Sequence, residues 1–311
     1  MARAMLMRAA ASLMVVFGSL ALVFVIVYTL PGDPVYMILD PASATPEVIE
    51  NLRRQLGTDQ PLHAQFAKYA ADMLRGDFGR SIVNGDPVLP KIIEHFPATA
   101  ALTACSAFFA ALVGIWLGVL SAIHRNGWID FAARTLGLFG ISMPTFWTGI
   151  LLILLFSVRL GWFPAMGSDG WKTLVLPSVA LGFVASGFII RLVRNSMLEV
   201  LGEPFILTLR AKGLGERMVM YRHALRNALL PALTMIGVLI GDLMAGSVVI
   251  ETVFSRQGIG RIVSDALIAK DIPVIQGVIL FSAVVYVLMN LLVDLSYSLI
   301  DPRIRRLQTR R

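Results

Sequence analysis

Charged residues are scarce in this sequence. Asp, Glu, Lys and Arg together make up 15% of the 311 residues, while 57% are hydrophobic and the mean hydropathy is +0.75. Soluble globular domains carry about 25% charged residues, so the composition excludes an ordinary soluble domain. Because lipid offers the backbone no hydrogen-bonding partners, such a chain is expected to form helices that satisfy their own peptide groups. The sequence therefore predicts an all-α polytopic membrane protein.

Residues suited to catalysis and metal binding are also few. Cys105 is the only cysteine, which leaves neither an intrachain disulfide nor a thiolate metal site. The histidines all lie outside the predicted membrane spans, at His63, His95, His124 and His223. The sequence contains no G-x-S-x-G and no H-E-x-x-H, so an intramembrane enzyme has no supporting motif and no catalytic or metal-binding residue is predicted. It also lacks G-x-x-x-x-G-K-[ST], so it cannot hold ATP through a P-loop.

Six apolar stretches are long enough to cross the hydrocarbon core, which needs about 20 helical residues. They are residues 9–30, 98–123, 135–158, 174–192, 228–250 and 274–300. The predicted organisation is an N-terminal transmembrane helix, an external helical segment, a transmembrane core with one long cytoplasmic loop, and a basic cytoplasmic tail. These parts cover residues 1–30, 31–97, 98–300 (loop 195–229) and 301–311.

The formal charge of +7 would suit a nucleic-acid partner. The positions of the basic residues decide between such a partner and a role in membrane topology. They concentrate in short segments that alternate with the spans, which is the positive-inside pattern. Besides the long loop, these are Arg3, Arg8, Arg125, Arg134, Arg303, Arg305, Arg306, Arg310 and Arg311. The pattern places both termini in the cytoplasm and gives no support to a nucleic-acid partner.

The external segment carries signs of two helices. Thr45-Pro46-Glu47 is a favourable helix start, and residues 61–74 place Leu62, Phe66, Tyr69 and Met73 on one face. Two roles stay open for this segment: a cap over the helix ends, or a docking surface for an extracytoplasmic partner.

The polar interruption at residues 195–231 holds the densest basic charge in the chain. Cations alternate there with apolar pairs, which predicts two or three short amphipathic helices lying against a membrane or a partner. The alternative is a basic loop that only sets the topology.

Within this interruption, RAKGL at 210–214 and RHALRNALLP at 222–231 resemble the EAA loop of ABC importer permeases, in the form seen in the peptide, nickel and opine permease family. The positions that name the motif are Leu207, Thr208 and Leu209, so its Glu and both Ala are absent. In that family the segment forms a coupling helix that docks on the ATPase subunit. The resemblance implies that the coupling residues here are Leu207, Thr208, Leu209, Arg210, Ala211, Lys212 and Gly213.

Further stretches are similar to landmarks of the same family and occur in the same order. They are PGDP at 31–34, LGTDQPLHAQFAKY at 56–69, RGDFGRS at 75–81, FPAT at 96–99, ETVF at 251–254, GIGR at 258–261 and LIDPRIR at 299–305. The resemblance covers residues 9–306 and implies a six-helix permease subunit of the type I ABC importer kind in a prokaryotic inner membrane.

The resemblance also implies the partners. They are a second homologous permease, two ATPase subunits that carry ATP and Mg, an extracytoplasmic substrate-binding protein, and membrane lipid; this chain itself is expected to hold no cofactor. Members of the family transport dipeptides, oligopeptides, glutathione, opines or nickel. LGWFPAMG at 160–167 is similar to short-peptide and glutathione permeases. Peptides are favoured over nickel because the spans contain no histidine and one cysteine.

Three residues inside the spans are unusual. Asp242 is costly wherever it meets lipid, so it is expected to face the bundle interior or a water-filled path, as a contact for a cation or amine or as a hydrogen-bonded structural group. As an ion site it would suit the alternative of a self-sufficient channel or secondary transporter, although no internal repeat supports that class. Pro144 predicts a local bend that serves packing or gating, and Asp294 is interpreted as structural.

Overall fold

The computed structural model describes residues 2–29, 47, 50 and 60–300, with side-chain surroundings for most of these up to residue 292. The PGDP stretch, the helix start at Thr45 and Pro46 and the basic tail 301–311 lie outside the described residues, as does the side chain of Asp294. Within the described part the backbone is helical apart from turns and one isolated bridge between Arg80 and Pro87.

The helices are labelled in chain order. They are α1 Ala2–Thr29, α2 Leu62–Leu74, α3 Val88–Ile123, α4 Trp128–Ser142, α5 Thr145–Leu152, α6 Lys172–Leu201, α7 Pro204–Ala211, α8 Glu216–Val253, α9 Ile259–Ala269 and α10 Ile272–Ile300. Two of them contain π-helical turns: α5 continues as one through Ile153–Arg159, and α8 contains one at Val219–Ala224.

Four helices in the described part are long and apolar enough to cross a membrane: Val88–Ile123, Lys172–Leu201, Glu216–Val253 and Ile272–Leu292. The pair formed by α4 and α5 passes the same test together, and Ala10–Ile26 of α1 is a shorter apolar helix. The all-α membrane architecture agrees with the sequence, while the total of six spans remains a prediction.

The predicted third span, residues 135–158, is not a single straight helix. Its two helices, Trp128–Ser142 and Thr145–Arg159, meet at an angle of 111°. Met143 between them is extended (φ −88°, ψ 133°), as expected for a residue before proline, and Pro144 has no N–H to continue the first helix. The predicted bend is therefore present, and it is sharp enough to divide the span.

Two boundaries also differ from the sequence prediction. Helix α3 begins at Val88, inside the predicted external segment 31–97, because Pro90 falls in its first turn, where a missing N–H costs no hydrogen bond. The polar stretch 195–231 forms one separate short helix, α7, rather than two or three. Its remaining residues mostly extend the two flanking membrane helices, α6 and α8.

One compact unit comprises residues 1–95, 262–288 and 306–311. In its described part Leu20, Met73 and Leu280 are buried together. The predicted apolar face of α2 packs through Phe66, which lies edge-on to Phe24 with ring centroids 5.3 Å apart, whereas Leu62 on the same predicted face is 45% exposed. Tyr69 lies on the same face, and burial raises the pKa of its hydroxyl to about 12.

The second unit comprises residues 96–261 and 289–305, and its apolar core is formed mainly by α3, α6 and α8. Helices α3 and α6 approach closely because Gly114 and Gly118 face Ile189 and Val193. A Cβ atom at Gly114 would lie 2.6 Å from the Cβ of Ile189. The small residues of the second predicted span therefore serve close helix packing.

Candidate functional site

Helix α7 forms where the chain leaves the long membrane helix α6. Glu203 is extended (φ −70°, ψ 146°), and Pro204 supplies a preset φ angle at the first helical position. Ile206 is completely buried in the core of the second unit, and Leu209 packs against the same core. These two side chains fix α7 to the membrane helices.

The opposite face of α7 is open. Leu207 is 64% exposed, and Thr208, Arg210, Ala211 and Lys212 are exposed beside it. The structure therefore brings the predicted coupling residues together on one short helix and its cap, with Leu209 as an anchor and the others at the surface. A large apolar side chain beside two cations suits contact with another protein.

The end of α7 is set by a glycine. Gly213 has a φ of +78°, its N–H donates to the Arg210 carbonyl oxygen at 2.9 Å, and the Leu214 N–H donates to the Leu209 carbonyl oxygen at 3.3 Å. This is the Schellman arrangement, in which the residue after the helix adopts a left-handed conformation that glycine tolerates best. Gly213 thus ends α7 and begins the short turn that leads to α8.

An ion pair joins α7 to the start of α8. The Arg210 guanidinium donates to both oxygens of Glu216, with Nε–Oε1 at 2.7 Å and Nη2–Oε2 at 3.1 Å. Both side chains are more than one third exposed, so the pair stabilises the fold by less than about 1 kcal/mol. Its two hydrogen bonds nevertheless connect the last turn of α7 to the first turn of α8.

Asp242 lies on the outer face of α8. Thr234, Val238, Asp242, Ala245 and Val249 are exposed at helical spacing, so they form one stripe along that helix. None of the described residues hydrogen-bonds the Asp242 carboxylate, and the side chain points away from the core of this chain. In this chain alone Asp242 therefore lies outside the core, and the expectation that it faces the bundle interior or a water-filled path stays a prediction.

The structure does not bring Asp242 and the coupling residues into one site. Asp242 follows Glu216 by 26 residues, which corresponds to roughly 39 Å of helix. Both belong to the same continuous helix, Glu216–Val253. Residues 212–215 connect α7 to the helix that carries Asp242.

A buried carboxylate cluster was not predicted from the sequence. Glu251 has no exposed surface, and its oxygens accept hydrogen bonds from the Thr99 hydroxyl at 2.6 Å, the Gly260 N–H at 2.8 Å and the Arg261 N–H at 3.2 Å. The Thr99 hydroxyl also accepts a hydrogen bond from the Ile259 N–H at 2.9 Å. The sequence does carry a signal for this cluster, because its residues lie in the family-like stretches FPAT, ETVF and GIGR.

Two glycines make room for this cluster. A Cβ atom at Gly258 would overlap the carboxylate of Glu251, and one at Gly260 would lie 2.9 Å from its Oε2 atom. The loop that follows α8 therefore runs so close to Glu251 that only glycine fits at both positions. This explains why the GIGR pattern accompanies the glutamate of ETVF.

A second buried network joins α3, α4 and α6 and has no sequence motif to announce it. Asp130 is fully buried and accepts hydrogen bonds from Arg194 Nε at 2.7 Å and Arg194 Nη2 at 2.9 Å. The Ser121 hydroxyl and the Asn126 N–H donate to the same carboxylate at 2.6 and 2.9 Å. The part of the chain that the structure describes contains no group of three or more His, Cys, Asp or Glu placed to hold a metal ion.

A short exposed helix fixed between two long apolar helices fits the membrane-permease class that the sequence resemblance implies. Residues 114–306 match the family described as "Binding-protein-dependent transport system inner membrane component", and residues 1–103 match the N-terminal part described for such membrane components. The chain belongs to this family. It is a multi-pass transmembrane permease subunit of an ABC importer in the inner membrane.

The similar proteins agree with this family. The chain is 44% identical over 284 residues to the glutathione transport system permease proteins of Salmonella paratyphi A and of Escherichia coli K12, covering 91% of this chain and 92% of theirs. It also resembles a chain of the methionine ABC transporter MetNI solved in inward-facing conformations, with a TM-score of 0.60 and 22% identity. That likeness covers 69% of this chain and 98% of the solved chain, and it confirms the predicted type I permease fold.

Proposed function

We propose that this permease pairs with a second homologous permease to form the path through which peptides or similar small solutes enter the cell. A substrate-binding protein delivers the solute outside, and two ATPase subunits hold ATP and Mg, so that this chain needs no cofactor and performs no hydrolysis. The 44% identity to glutathione permeases supports a short peptide as the solute, since glutathione is itself a tripeptide. Opines and nickel are the alternative solutes.

The coupling element in this proposal is α7. The observation that carries it is the two-sided character of that helix: Ile206 is completely buried, while Leu207 is 64% exposed. A helix held in this way moves as a rigid part of its bundle. Closure of the ATPase subunits would push α7, and the direct connection to α8 would shift the bundle between inward-open and outward-open packings. This arrangement requires α7 and both termini to be cytoplasmic.

The translocation path in this proposal runs along the outer stripe of α8. A carboxylate at mid-helix is strongly disfavoured against lipid, so the exposed face that carries Asp242 must lie against protein or water in the assembled importer. The second permease would supply the other wall. Asp242 would then offer a carboxylate to the amino group of a passing peptide.

Site-directed cross-linking tests the coupling role, and the single native cysteine makes it simple. In a Cys105→Ser background, Thr208→Cys on α7 is labelled with a short photoactivatable thiol reagent in the assembled importer. Thr252→Cys is the matched control, because Thr252 is an exposed threonine at the far end of α8. We expect an adduct with the ATPase subunit from position 208 and none from position 252. Equal adducts, or none from position 208 in a complex that transports, would contradict the proposal.

Affinity purification from native membranes tests the subunit composition. A tagged chain should retain a second permease, an ATPase and a binding protein in mild detergent, and the ligand carried by that binding protein identifies the solute. A chain that moves solute in vesicles with no ATPase present would refute the proposed composition.

A further inference from the structure

A groove opens between α4 and α6 in the second unit. The two helices touch through their backbones, since a Cβ atom at Gly187 would overlap the carbonyl oxygen of Gly137 and one at Gly140 would lie 2.8 Å from the carbonyl oxygen of Phe183. Longer side chains stand on either side of this contact. They enclose a cavity of about 340 Å³ that is open to the surroundings.

One end of the groove is strongly basic. Arg134, Arg191 and Arg194 line it, and the buried carboxylate of Asp130 is their only counter-charge among the described residues. Arg194 pairs closely with Asp130, and Arg134 lies 3.4 Å from the same carboxylate with 54% of its side chain exposed. Arg191 is exposed, and its guanidinium lies 5.9 Å from the Phe188 ring. Three guanidinium groups facing one carboxylate leave an excess of two positive charges.

Guanidinium groups recognise phosphate through paired N–H donors. Arg134 and Arg191 carry donors that Asp130 does not saturate, because each carboxylate oxygen of Asp130 already accepts from Arg194. The basic end of the groove is thus chemically complementary to a phosphate group.

The rest of the groove is apolar. Leu138 is 64% exposed, and Ile141 and Ile190 continue the lining away from the arginines. The distance along α4 from Arg134 to Ile141 is about 10 Å. A ligand that fills the whole groove therefore needs an anionic head and an apolar tail. Free phosphate would use only the basic end.

The neighbouring aromatic residues place this end of α4 near the membrane surface. Trp128 is 86% exposed and packs edge-on against Phe131, with ring centroids 5.8 Å apart. Tryptophan is enriched at the interface between hydrocarbon and water. Arginine side chains just inside that level can extend their guanidinium groups to lipid headgroups.

We propose that this groove binds an anionic phospholipid, with its phosphate on Arg134 and Arg191 and its acyl chain along Leu138, Ile141 and Ile190. Basic pockets between transmembrane helices are suited to such headgroups. The bound lipid would fill the groove beside the close backbone contact of α4 and α6. This lipid site is independent of the proposed solute.

The test uses the assembled importer in nonionic detergent after removal of its native lipid. It is titrated with phosphatidylglycerol or with phosphatidylcholine of the same chains, and bound lipid is counted by native mass spectrometry. We expect selective binding of phosphatidylglycerol and an affinity about tenfold lower in Arg191→Gln, which loses one charge-assisted contact. Arg134→Gln should weaken binding in the same direction.

The matched control is Arg125→Gln, which removes another exposed arginine, next to α4, that does not line the groove. Its affinity for phosphatidylglycerol should be unchanged, and millimolar inorganic phosphate should not displace the lipid. Equal binding of the two lipids in the complex would show that the groove does not select an anionic headgroup and would overturn the proposal. Displacement by phosphate, or an equal loss in Arg125→Gln and Arg191→Gln, would overturn it as well.

Discussion

The hydroxyl of Thr99 donates a hydrogen bond of 2.6 Å to the buried carboxylate of Glu251, across 152 residues of sequence. The same hydroxyl accepts the N–H of Ile259, so one threonine links α3 to both ends of the loop after α8. Because Glu251 has no exposed surface, the buried Thr99 hydroxyl and Gly260 N–H would each lose their acceptor without it, which is costly. This cluster fixes the end of α8 that lies farthest from α7.

The Glu251 cluster predicts that Gly258→Ala is destabilising. The added methyl group would overlap the Glu251 carboxylate, and overpacking of this kind costs about 1–3 kcal/mol in the free energy of unfolding. Thermal unfolding of the purified chain, followed by tryptophan fluorescence, measures the change. Gly215→Ala is the control, since a Cβ atom there meets nothing within 4 Å and the φ angle of −63° suits alanine. Equal melting temperatures for the two variants would contradict the described geometry.

Two of the ion pairs in the second unit predict very different losses in the free energy of unfolding. Asp130→Asn keeps the shape of the side chain but leaves Arg194 mostly buried without a counter-ion, which costs about 3–5 kcal/mol. Glu216→Gln breaks the exposed pair with Arg210 and should cost less than about 1 kcal/mol. Chemical unfolding of both variants under the same conditions gives the comparison. A similar loss in both would mean that Asp130 is accessible to water.

The sequence indicated the membrane class and the family, because composition, hydropathy and an ordered set of local motifs carry that information; the coupling role of residues 207–213 stays a prediction. It did not indicate that Thr99 meets Glu251 or that Asp130 meets Arg194, since these pairs form only through the packing of helices distant in sequence. The sequence also did not indicate which way the Asp242 side chain points. Hydropathy alone does not say which face of a membrane helix packs against the core of its own chain.

The glycine that ends α7 is expected to affect the coupling of ATP hydrolysis to transport. Gly213 has a φ of +78°, and a left-handed conformation costs an ordinary residue about 1–2 kcal/mol. Gly213→Ala should therefore distort the turn between α7 and α8 and reduce the amount of solute moved per ATP hydrolysed. Gly213→Asn should largely restore that ratio, because asparagine tolerates the left-handed region. An alanine variant with unchanged coupling would show that the turn geometry is not needed.

Removing the charge of Asp242 is expected to reduce transport without reducing the stability of the chain. Asp242→Asn removes the charge from an exposed side chain that none of the described residues hydrogen-bonds, so the melting temperature of the isolated chain should not change. Uptake of a peptide with a free amino group should fall in vesicles containing the complete importer. A lowered melting temperature with normal uptake would assign Asp242 a structural role instead.

The most direct test of the account is ATP-driven uptake by the reconstituted importer carrying Leu207→Ala in α7. Leu13→Ala is the matched control, because it removes a similarly exposed leucine from α1, with 71% of its side chain exposed against 64% for Leu207. If α7 is the coupling helix, the Leu207 variant should assemble and hydrolyse ATP but import solute poorly, and the Leu13 variant should behave as the unaltered protein. Full uptake per ATP in the Leu207 variant would contradict the assignment of α7 as the coupling helix.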